Sequence, residues 1–200
     1  MVSAPRVEVS PSVEADQRVF MRGVSYKDYE LVLLARGEAS VPRISYAEGV
    51  LELMSPSRSH ETLKTLIGRL VEAYAEERGL DLNGFGSWTL KNPAVERGAE
   101  PDECYTLGPP GEVPDLALEV AWTHGGLDKL DIYAKLGVGE VWFWRKGRIE
   151  IHVLRGEGFE EVERSPLLPD LDLRHLETFL DEDNQTQAVR AYRLALRGGS

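Results

Sequence analysis

The chain has 200 residues, of which 42% are hydrophobic, and this suits one globular domain with a core of its own. Its 23 Lys and Arg stand against 34 Asp and Glu, for a formal net charge of -11. This balance argues against tight, salt-driven, sequence-blind binding to nucleic acid, because neutralising phosphates takes many cations. It leaves open a basic cleft on an otherwise acidic body. A cleft in which metal ions supply the positive charge is compatible with this balance.

The cysteine content and the hydropathy indicate where the protein works. The single cysteine, Cys104, excludes an internal disulfide and is typical of a reducing compartment. No apolar run approaches the length of a membrane span, and the first residues carry acids without the apolar segment of a signal peptide. We therefore predict a cytoplasmic protein that does not enter membranes.

The chain begins with a segment that predicts little structure, followed by a helix. Residues 1–20 are polar and dotted with Pro and Ser, which is typical of a loose N-terminal arm. Ser25 is a candidate N-cap with Asp28 three residues later, and Gly37 is a stop signal. These residues predict a helix between Ser25 and Gly37.

A hairpin and a long helix are predicted next. The segment "RISYAEGVLELMSP" indicates two short strands around a turn at Glu48-Gly49. From about residue 59 to residue 78, apolar side chains recur at helical spacing, and Gly79 ends the pattern.

The second half of the chain is predicted to consist mainly of strands. "LDLNGFGSWTLKN" indicates a glycine-broken strand, and "PDECYTL" and "PDLALEV" indicate two strands that flank a Gly/Pro turn. "LDKLDIYAKLG" indicates a short helix. The segment "EVWFWRKGRIEIHVLRGEGFEEVE" indicates three further strands, and its continuous "VWFW" run predicts a strand buried on both faces, either centrally in a sheet or under a partner chain.

Two short helices, the second near "NQTQAVRAYRLAL", and a flexible "RGGS" tail complete the pattern. We predict an α/β fold with a mixed sheet. Residues 21–180 would form a single domain, and residues 181–200 a C-terminal helix and tail.

Two carboxylates, Asp115 and Glu119, interrupt the apolar strand "PDLALEV". They share a face, but their backbones lie about 13 Å apart, which is too far for the two to hold one ion directly. If the two strands pair as a hairpin with Leu107 facing Pro114, Asp102 falls opposite Glu119. Opposed carboxylates only about 4.5 to 5.5 Å apart at their roots repel unless a proton or cation lies between them. Hard oxygen ligands at this spacing favour Mg2+ or Mn2+.

Structural roles are open for each of these acids. An arginine such as Arg69 or Arg148 could neutralise Glu119, and Asp102 could simply begin a strand after Pro101. Asp115 follows a proline in a turn, where its side chain can accept hydrogen bonds from nearby amides, so a structural role is favoured for it.

The helix after these strands supplies a candidate cation. Lys129 lies on the face of this helix that Ile132 and Tyr133 also occupy, near the helix start, and it is the functional candidate, with snorkelling at the core edge as the alternative. Lys135 lies on the polar face, where Asp131 four residues earlier makes an ordinary exposed pair.

The start of the long helix holds a histidine on the apolar stripe. His60 lies three residues before Leu63, a position at which a satisfied core histidine is common. Its neighbour Glu61 has a plain structural role, because an acid in the first turn complements the helix dipole.

Four segments together resemble the PD-(D/E)XK nuclease superfamily and, more closely, the Uma-type family of restriction-endonuclease-like proteins. They are "EGVLELMSPSRSHE", "EPDECY", "PDLALEV" and "LDKLDIYAKLGVGEVWFW", and the likeness runs from about residue 26 to residue 154. The resemblance implies a restriction-endonuclease-like mixed β-sheet flanked by helices, in a protein that is frequently a homodimer. It also implies a nucleic-acid substrate, with DNA as the first choice.

The resemblance assigns the site residue by residue. Asp102 and Glu119 would be the metal-binding acids and hold Mg2+ or Mn2+, and His60 would be their active-site neighbour. The superfamily lysine usually follows two residues after the glutamate, where this chain has Ala121. Some branches take the lysine from the next helix, and Lys129 matches that place.

Two further departures distinguish this chain from its relatives. Ser45 stands where relatives commonly carry a glutamate, and "AWTHGG" replaces a Ser-Pro-rich loop. Either change is compatible with an altered substrate or with a site that has lost activity.

The resemblance leads to a mechanism in which one Mg2+, held by Asp102, Glu119 and a carbonyl near Val120, polarises a phosphodiester and acidifies water. Lys129 would orient or help deprotonate the water, and His60 would contact a phosphate or the leaving group. One alternative is a catalytically degenerate binding or assembly module with "VWFW" and "IEIHV" in a dimer surface. Another is a metal-independent carboxylate-pair hydrolase, in which Lys129 has no natural role.

Overall fold

The computed structural model describes residues 15–120, 127–181 and 184–198, and these ranges contain eleven strands and five helices. The strands are β1 (Gln17–Arg22), β2 (Arg43–Ala47), β3 (Val50–Ser55), β4 (Leu82–Gly84), β5 (Leu90–Asn92), β6 (Arg97–Ala99), β7 (Glu103–Leu107), β8 (Leu116–Val120), β9 (Glu140–Arg145), β10 (Arg148–Arg155) and β11 (Gly158–Val162). The helices are α1 (Tyr26–Arg36), α2 (Arg58–Arg78), α3 (Lys129–Leu136), α4 (Leu173–Glu177) and α5 (Gln185–Gly198).

The strands form two sheets, and one of them is mixed. The first sheet has the order β1-β3-β2-β6-β5, and its pairs are antiparallel. The second has the order β11-β10-β9-β8-β7-β4, in which only β8 and β9 are parallel. The mixed α/β architecture of a restriction-endonuclease-like fold is thus confirmed. The sequence analysis expected one sheet, and the division into two is the difference.

The second sheet gains its parallel pair through α3. A parallel connection needs a crossover, and α3 follows β8 and precedes β9. Ile132 and Tyr133 of α3 pack with Ala99 of the first sheet and with Ala117 and Val141 of the second. This helix therefore lies where both sheets meet, whereas α2, α4 and α5 contribute to the core on the other face of the second sheet.

The "VWFW" run is central, as predicted. It lies in β9, between β8 and β10, and Val141, Trp142 and Phe143 are each at most 2% exposed. The subunit itself covers these side chains, so they are not the exposed surface that the assembly-module alternative required.

The glycine-broken strand is two strands in different sheets. β4 pairs with β7, whereas β5 pairs with β6, and Gly86 with its positive φ of 59° lies in the segment that joins them. The glycines therefore mark the passage of the chain from one sheet to the other.

The predicted boundaries shift at both ends. Strand β1 begins at Gln17, inside the segment expected to be a loose arm, and pairs along its length with β3. Val19, Phe20 and Met21 are three consecutive apolar residues, and all of them are exposed. The strand therefore lacks the alternation of polar and apolar residues by which a half-buried strand is recognised in a sequence. At the other end α5 reaches Gly198 and buries Tyr192 in the core. Residues 1–14 and 199–200 lie outside the described residues.

Local signals in the first half correspond to the observed elements. Ser25 and Asp28 form a reciprocal capping box at the start of α1, and α2 ends at Gly79 in the left-handed conformation. Among the helices of the described ranges, none combines the length and the apolar character needed to cross a membrane.

Candidate active site

The site is built on the pairing of β7 with β8. Glu103 pairs with Leu118 and Cys104 with Ala117, and the same register extended by one residue places Asp102 opposite Glu119. This is the predicted register. Asp102 is fully buried and Glu119 is 6% exposed, so both carboxylates lie in surroundings where a charge needs partners.

Asp102 is held by three donors from three different parts of the chain. Its Oδ1 accepts a hydrogen bond from the guanidinium of Arg43, and its Oδ2 lies 2.9 Å from Nε2 of His60. The backbone N–H of Val120 donates to Oδ2 at 2.7 Å. Burial would raise the pKa of Asp102, but the hydrogen bond from His60 and the charges of Arg43 and His60 lower it to about 2.

His60 lies between two carboxylates. Its Nδ1 is 2.9 Å from Oδ2 of Asp16, and its Nε2 faces Asp102. Burial opposes the charged form, but hydrogen bonds to both acids and their negative charges outweigh it and raise the pKa of His60 to about 9. At neutral pH the ring is therefore an imidazolium that donates from both nitrogens. Because both are engaged, His60 acts on Asp102 and has no nitrogen directed at solvent.

Glu119 has a different set of partners, both from α3. Lys129 donates from Nζ to Oε1 at 2.9 Å, and the hydroxyl of Tyr133 donates to the same oxygen. Burial first, and then the nearby charge of Asp102, raise the pKa of Glu119, although Lys129 and Tyr133 act in the opposite direction. Burial also raises the pKa of Tyr133 well above its usual value, so its O–H remains a donor.

The two lysines of α3 behave as their helix faces predicted. Lys129 is the first residue of the helix and pairs with buried Glu119, while Lys135 pairs with exposed Asp131 at 2.6 Å. A cation at a helix N-terminus is opposed by the dipole, so its placement there depends on the carboxylate it meets. Asp128 caps the helix because its Oδ1 accepts hydrogen bonds from the backbone N–H groups of Leu130 and Asp131.

The structural alternatives for the acids have clear outcomes. Arg69 donates to Gln185, and Arg148 lies near Glu150 and Glu161, so neither neutralises Glu119. Asp115 accepts from the N–H of Leu107 at 2.8 Å, in the structural role expected of it. Ala121 and the rest of "AWTHGG" lie outside the described residues.

Three residues of the site were missed by the sequence analysis. Asp16 belonged to the segment expected to be a loose arm, and Tyr133 was recognised only as a core side chain. Arg43 is 59 positions from Asp102, and a contact at that separation leaves no periodic signal. The sequence feature that could have identified Arg43 is its spacing of two residues from Ser45, which places both side chains on one face of β2.

Ser45 occupies the position at which the family resemblance led us to expect a glutamate, and it faces a glutamate on the neighbouring strand. Ser45 pairs across β2 and β3 with Glu52, which is only 2% exposed. Glu52 accepts from NH1 of Arg18 at 2.6 Å through Oε1 and from the N–H of Leu127 at 3.2 Å through Oε2. An acid on this face is therefore present, but it comes from the neighbouring strand.

The donor atoms of Asp102 and Glu119 fit a hard divalent cation. The two carboxylates are opposed, and both hydrogen bonds that the described residues donate to Glu119 go to Oε1. The part of the chain that the structure describes contains no group of three or more His, Cys, Asp or Glu side chains able to hold a metal. Binding would thus rest on the two acids together with backbone or water oxygens.

The hydrogen bonds that Asp102 already accepts oppose this fit, because His60 and the N–H of Val120 engage Oδ2 and Oδ1 is engaged by Arg43. The guanidinium of Arg43 bridges Oδ1 of Asp102 and Oε1 of Glu61, the second contact being 2.7 Å. Together with His60 and Lys129 it supplies three cations to the four carboxylates of Asp16, Glu61, Asp102 and Glu119, so the chain itself offsets most of the negative charge of the site. A metal ion on Asp102 has to displace Arg43 from Oδ1.

The sequence of most of the chain matches the model of a known protein family. The sequence model of one family, Uma2, described as "Putative restriction endonuclease", matches residues 26–193. The match covers every strand except β1, together with α3 and the acids and cations of the site other than Asp16 and Arg18. No curated protein matches the sequence significantly.

Proposed function

Because the chain belongs to the Uma2 family of the restriction-endonuclease-like PD-(D/E)XK superfamily, we propose that it is a metal-dependent nuclease that hydrolyses phosphodiester bonds. The family suggests a nuclease, and proteins of this superfamily usually use divalent metals. The observation that carries the proposal is the convergence of Lys129 on one of two opposed, buried carboxylates. Burying such a set is costly and is typical of functional sites.

The roles follow from the contacts. Asp102 and Glu119 would hold one Mg2+ or Mn2+, which supplies Lewis-acid chemistry by polarising the phosphodiester and lowering the pKa of water. Lys129, 16% exposed at its side chain, can orient a water molecule and offset negative charge developing on the phosphate. His60 is a positioning residue in this proposal, since both of its nitrogens are used to hold Asp102.

The finer parts of the proposal concern substrate and assembly. The family description, a restriction endonuclease, supports DNA as the nucleic acid. We propose the homodimer only as an extension of the resemblance set out in the sequence analysis. Light scattering during size-exclusion chromatography measures the assembly directly, and a monomeric mass would contradict the dimer.

The second candidate is a catalytically degenerate binding or assembly module. The contact of Arg43 with Asp102 favours it, because an internal guanidinium takes one of the oxygens that an ion needs. In this alternative the acids are parts of structural ion pairs, and the protein does not bind Mn2+ through them.

Hydrolysis assays on DNA and RNA oligonucleotides with Mg2+, with Mn2+ and with a chelator test the proposal. We expect metal-dependent cleavage that falls by about 100-fold or more in Lys129→Ala, the scale of losing one charge-stabilising group at a reacting phosphate. Lys135→Ala is the matched control, since this lysine lies on the same helix but outside the site. Cleavage that survives the chelator, or equal activity in the two lysine variants, would contradict the proposal.

A further inference from the structure

The start of β1 contributes two charged side chains to the candidate site, Asp16 and Arg18, whose Oδ2 and NH2 atoms lie 3.9 Å apart. Asp16 precedes the strand and Arg18 lies within it, two residues apart and therefore on one face. Arg18 pairs across the strands with Met54, which in turn pairs with Arg43 of β2. This face of β1 is thus continuous with the one from which Arg43 reaches Asp102.

Asp16 acts on the Asp102 side. Its Oδ1 accepts from the backbone N–H of Ser57 at 2.8 Å, and its Oδ2 is 2.9 Å from Nδ1 of His60. The two bonds fix the orientation of the imidazole ring, whose Nε2 then meets Oδ2 of Asp102. The side chain of Asp16 is only 2% exposed, although it lies next to an edge strand.

Arg18 acts on the Lys129 side through Glu52. NH1 of Arg18 donates to Oε1 of Glu52 at 2.6 Å, and Oε2 of Glu52 accepts from the N–H of Leu127. Leu127 comes two residues before Lys129, just before the helix that Lys129 begins. A buried carboxylate neutralised by Arg18 therefore anchors the backbone from which the lysine side chain extends.

Strand β1 is largely exposed, and it does not need the ion pairs of Asp16 and Arg18 in order to pair with β3. Strand β1 is at the edge of its sheet, and Val19, Phe20 and Met21 are 55%, 42% and 47% exposed. The desolvation cost of a buried ion pair offsets much of its Coulombic energy, so such pairs add little to the stability of an edge strand. They do restrict the orientation of the groups they hold, which is what a site with a defined geometry requires.

We propose that Asp16 and Arg18 are positioning residues of the site: Asp16 fixes His60 against Asp102, and Arg18, through Glu52, fixes the start of the helix that carries Lys129. The inference rests on the proposed function and deepens it, because it makes β1 part of the active site. It assigns the metal-binding side and the lysine side to different residues of one strand.

The two assignments predict separable effects. Asp16→Asn weakens binding of Mn2+ alone by about tenfold in titration calorimetry, the scale of losing a group that supports a metal ligand, and lowers kcat at saturating Mn2+ by less than Arg18→Met does. Arg18→Met lowers kcat for Mn2+-dependent oligonucleotide hydrolysis by about tenfold and leaves the Mn2+ affinity and KM unchanged. Arg18→Lys, which retains the cation for Glu52, restores part of kcat.

Gln17→Ala is the matched control, because this exposed residue lies between the other two. It should change neither quantity. If both variants lower both quantities by one common factor, β1 merely stabilises the fold, and the proposal is overturned. It is overturned as well if neither variant changes either quantity.

A readout that needs no activity separates this proposal from the proposed function. Amide hydrogen exchange at Leu127 should accelerate in Arg18→Met but not in Asp16→Asn. The ring nitrogen NMR signals of His60 should move much further in Asp16→Asn, which changes the direct partner of Nδ1, than in Arg18→Met, which changes a charge 3.9 Å beyond that partner. If wild type neither binds Mn2+ nor cleaves, the nuclease proposal fails while this pattern still supports the positioning roles. Identical exchange and identical ring signals in all variants would overturn them.

Discussion

Asp102 and Glu119 lie opposite each other on neighbouring strands, and their surroundings shift their pKa values in opposite directions. Arg43, His60 and the N–H of Val120 hold Asp102, whose pKa falls to about 2. Glu119 meets Lys129 and Tyr133 through one oxygen only, and its pKa is raised. Asp102 is thus anchored as an anion, while Glu119 is held at a cost.

The difference indicates how the two acids divide their work. A carboxylate that is stabilised as an anion contributes to folding, whereas one whose charge is unfavourable awaits a cation. If this is correct, the same change from carboxylate to amide has opposite consequences at the two positions.

Removing the anchored charge has the largest effect. Asp102→Asn leaves the buried Arg43 and the imidazolium of His60 without their shared carboxylate, and the free energy of unfolding should fall by about 3–5 kcal/mol. Urea denaturation measures this loss. A loss no larger than that of Glu119→Gln would show that the two acids are equivalent and would remove the asymmetry.

The pH dependence of stability should show the charge on His60. Its pKa in the folded protein, about 9, exceeds the ordinary value of 6.5, so its contribution is complete below about pH 6.5 and is lost as the pH rises through about 9. We expect the difference in unfolding free energy between wild type and His60→Gln to shrink by on the order of 2–3 kcal/mol across that window. Urea denaturation at several pH values measures the difference, and a constant value across the window would mean that His60 is neutral in the folded protein.

Arg43 connects the anchored acid to metal binding. Arg43→Gln removes the cation that competes for Oδ1 of Asp102, so Mn2+ should bind about tenfold more tightly, a change of about 1.4 kcal/mol. The same variant should be less stable, because the buried carboxylate of Asp102 loses a cation that offsets its charge. Titration calorimetry and thermal melts give both quantities. A parallel loss of stability and affinity would mean that Arg43 supports the metal site instead of competing with the ion.

The smallest effect belongs to the exposed lysine of α3. Lys135 and its partner Asp131 are 42% and 37% exposed at their side chains, so solvent screens their interaction. Lys135→Ala should change the unfolding free energy by about 0.5 kcal/mol or less. A larger loss in thermal or urea denaturation would mean that the pair of Lys135 and Asp131 contributes more to the stability of α3 than its exposure indicates.

The sequence carried the parts of the site that are local or set by a short turn. The Gly/Pro turn between β7 and β8 fixes the register that brings Asp102 to Glu119, and helical periodicity separates Lys129 from Lys135. Arg43 and Asp16 are 59 and 44 residues away from their partners, and nothing in a periodic pattern reports such contacts. The lowered pKa of Asp102 depends on His60 and Arg43, which are far from it in the sequence, so its contrast with the raised pKa of Glu119 could not be predicted.

The same limit applies to the fold. The positions of most strands could be predicted from hydrophobic patterns. The division into two sheets could not, because it depends on which strand β4 and β5 each pair with on either side of the glycines between them. Strand β1 escaped prediction because an exposed edge strand has no alternation, although it brings two of the charged groups that support the site.

The most direct test is a thermal melt of wild type and Glu119→Gln, each with and without Mn2+. We predict that the metal-free variant is as stable as wild type or more stable, since a charge held at a cost is removed. Mn2+ should raise the Tm of wild type only, because a ligand stabilises the state that binds it. A variant that melts far below wild type, together with a wild type indifferent to Mn2+, would make Glu119 half of a structural ion pair and would contradict the nuclease proposal.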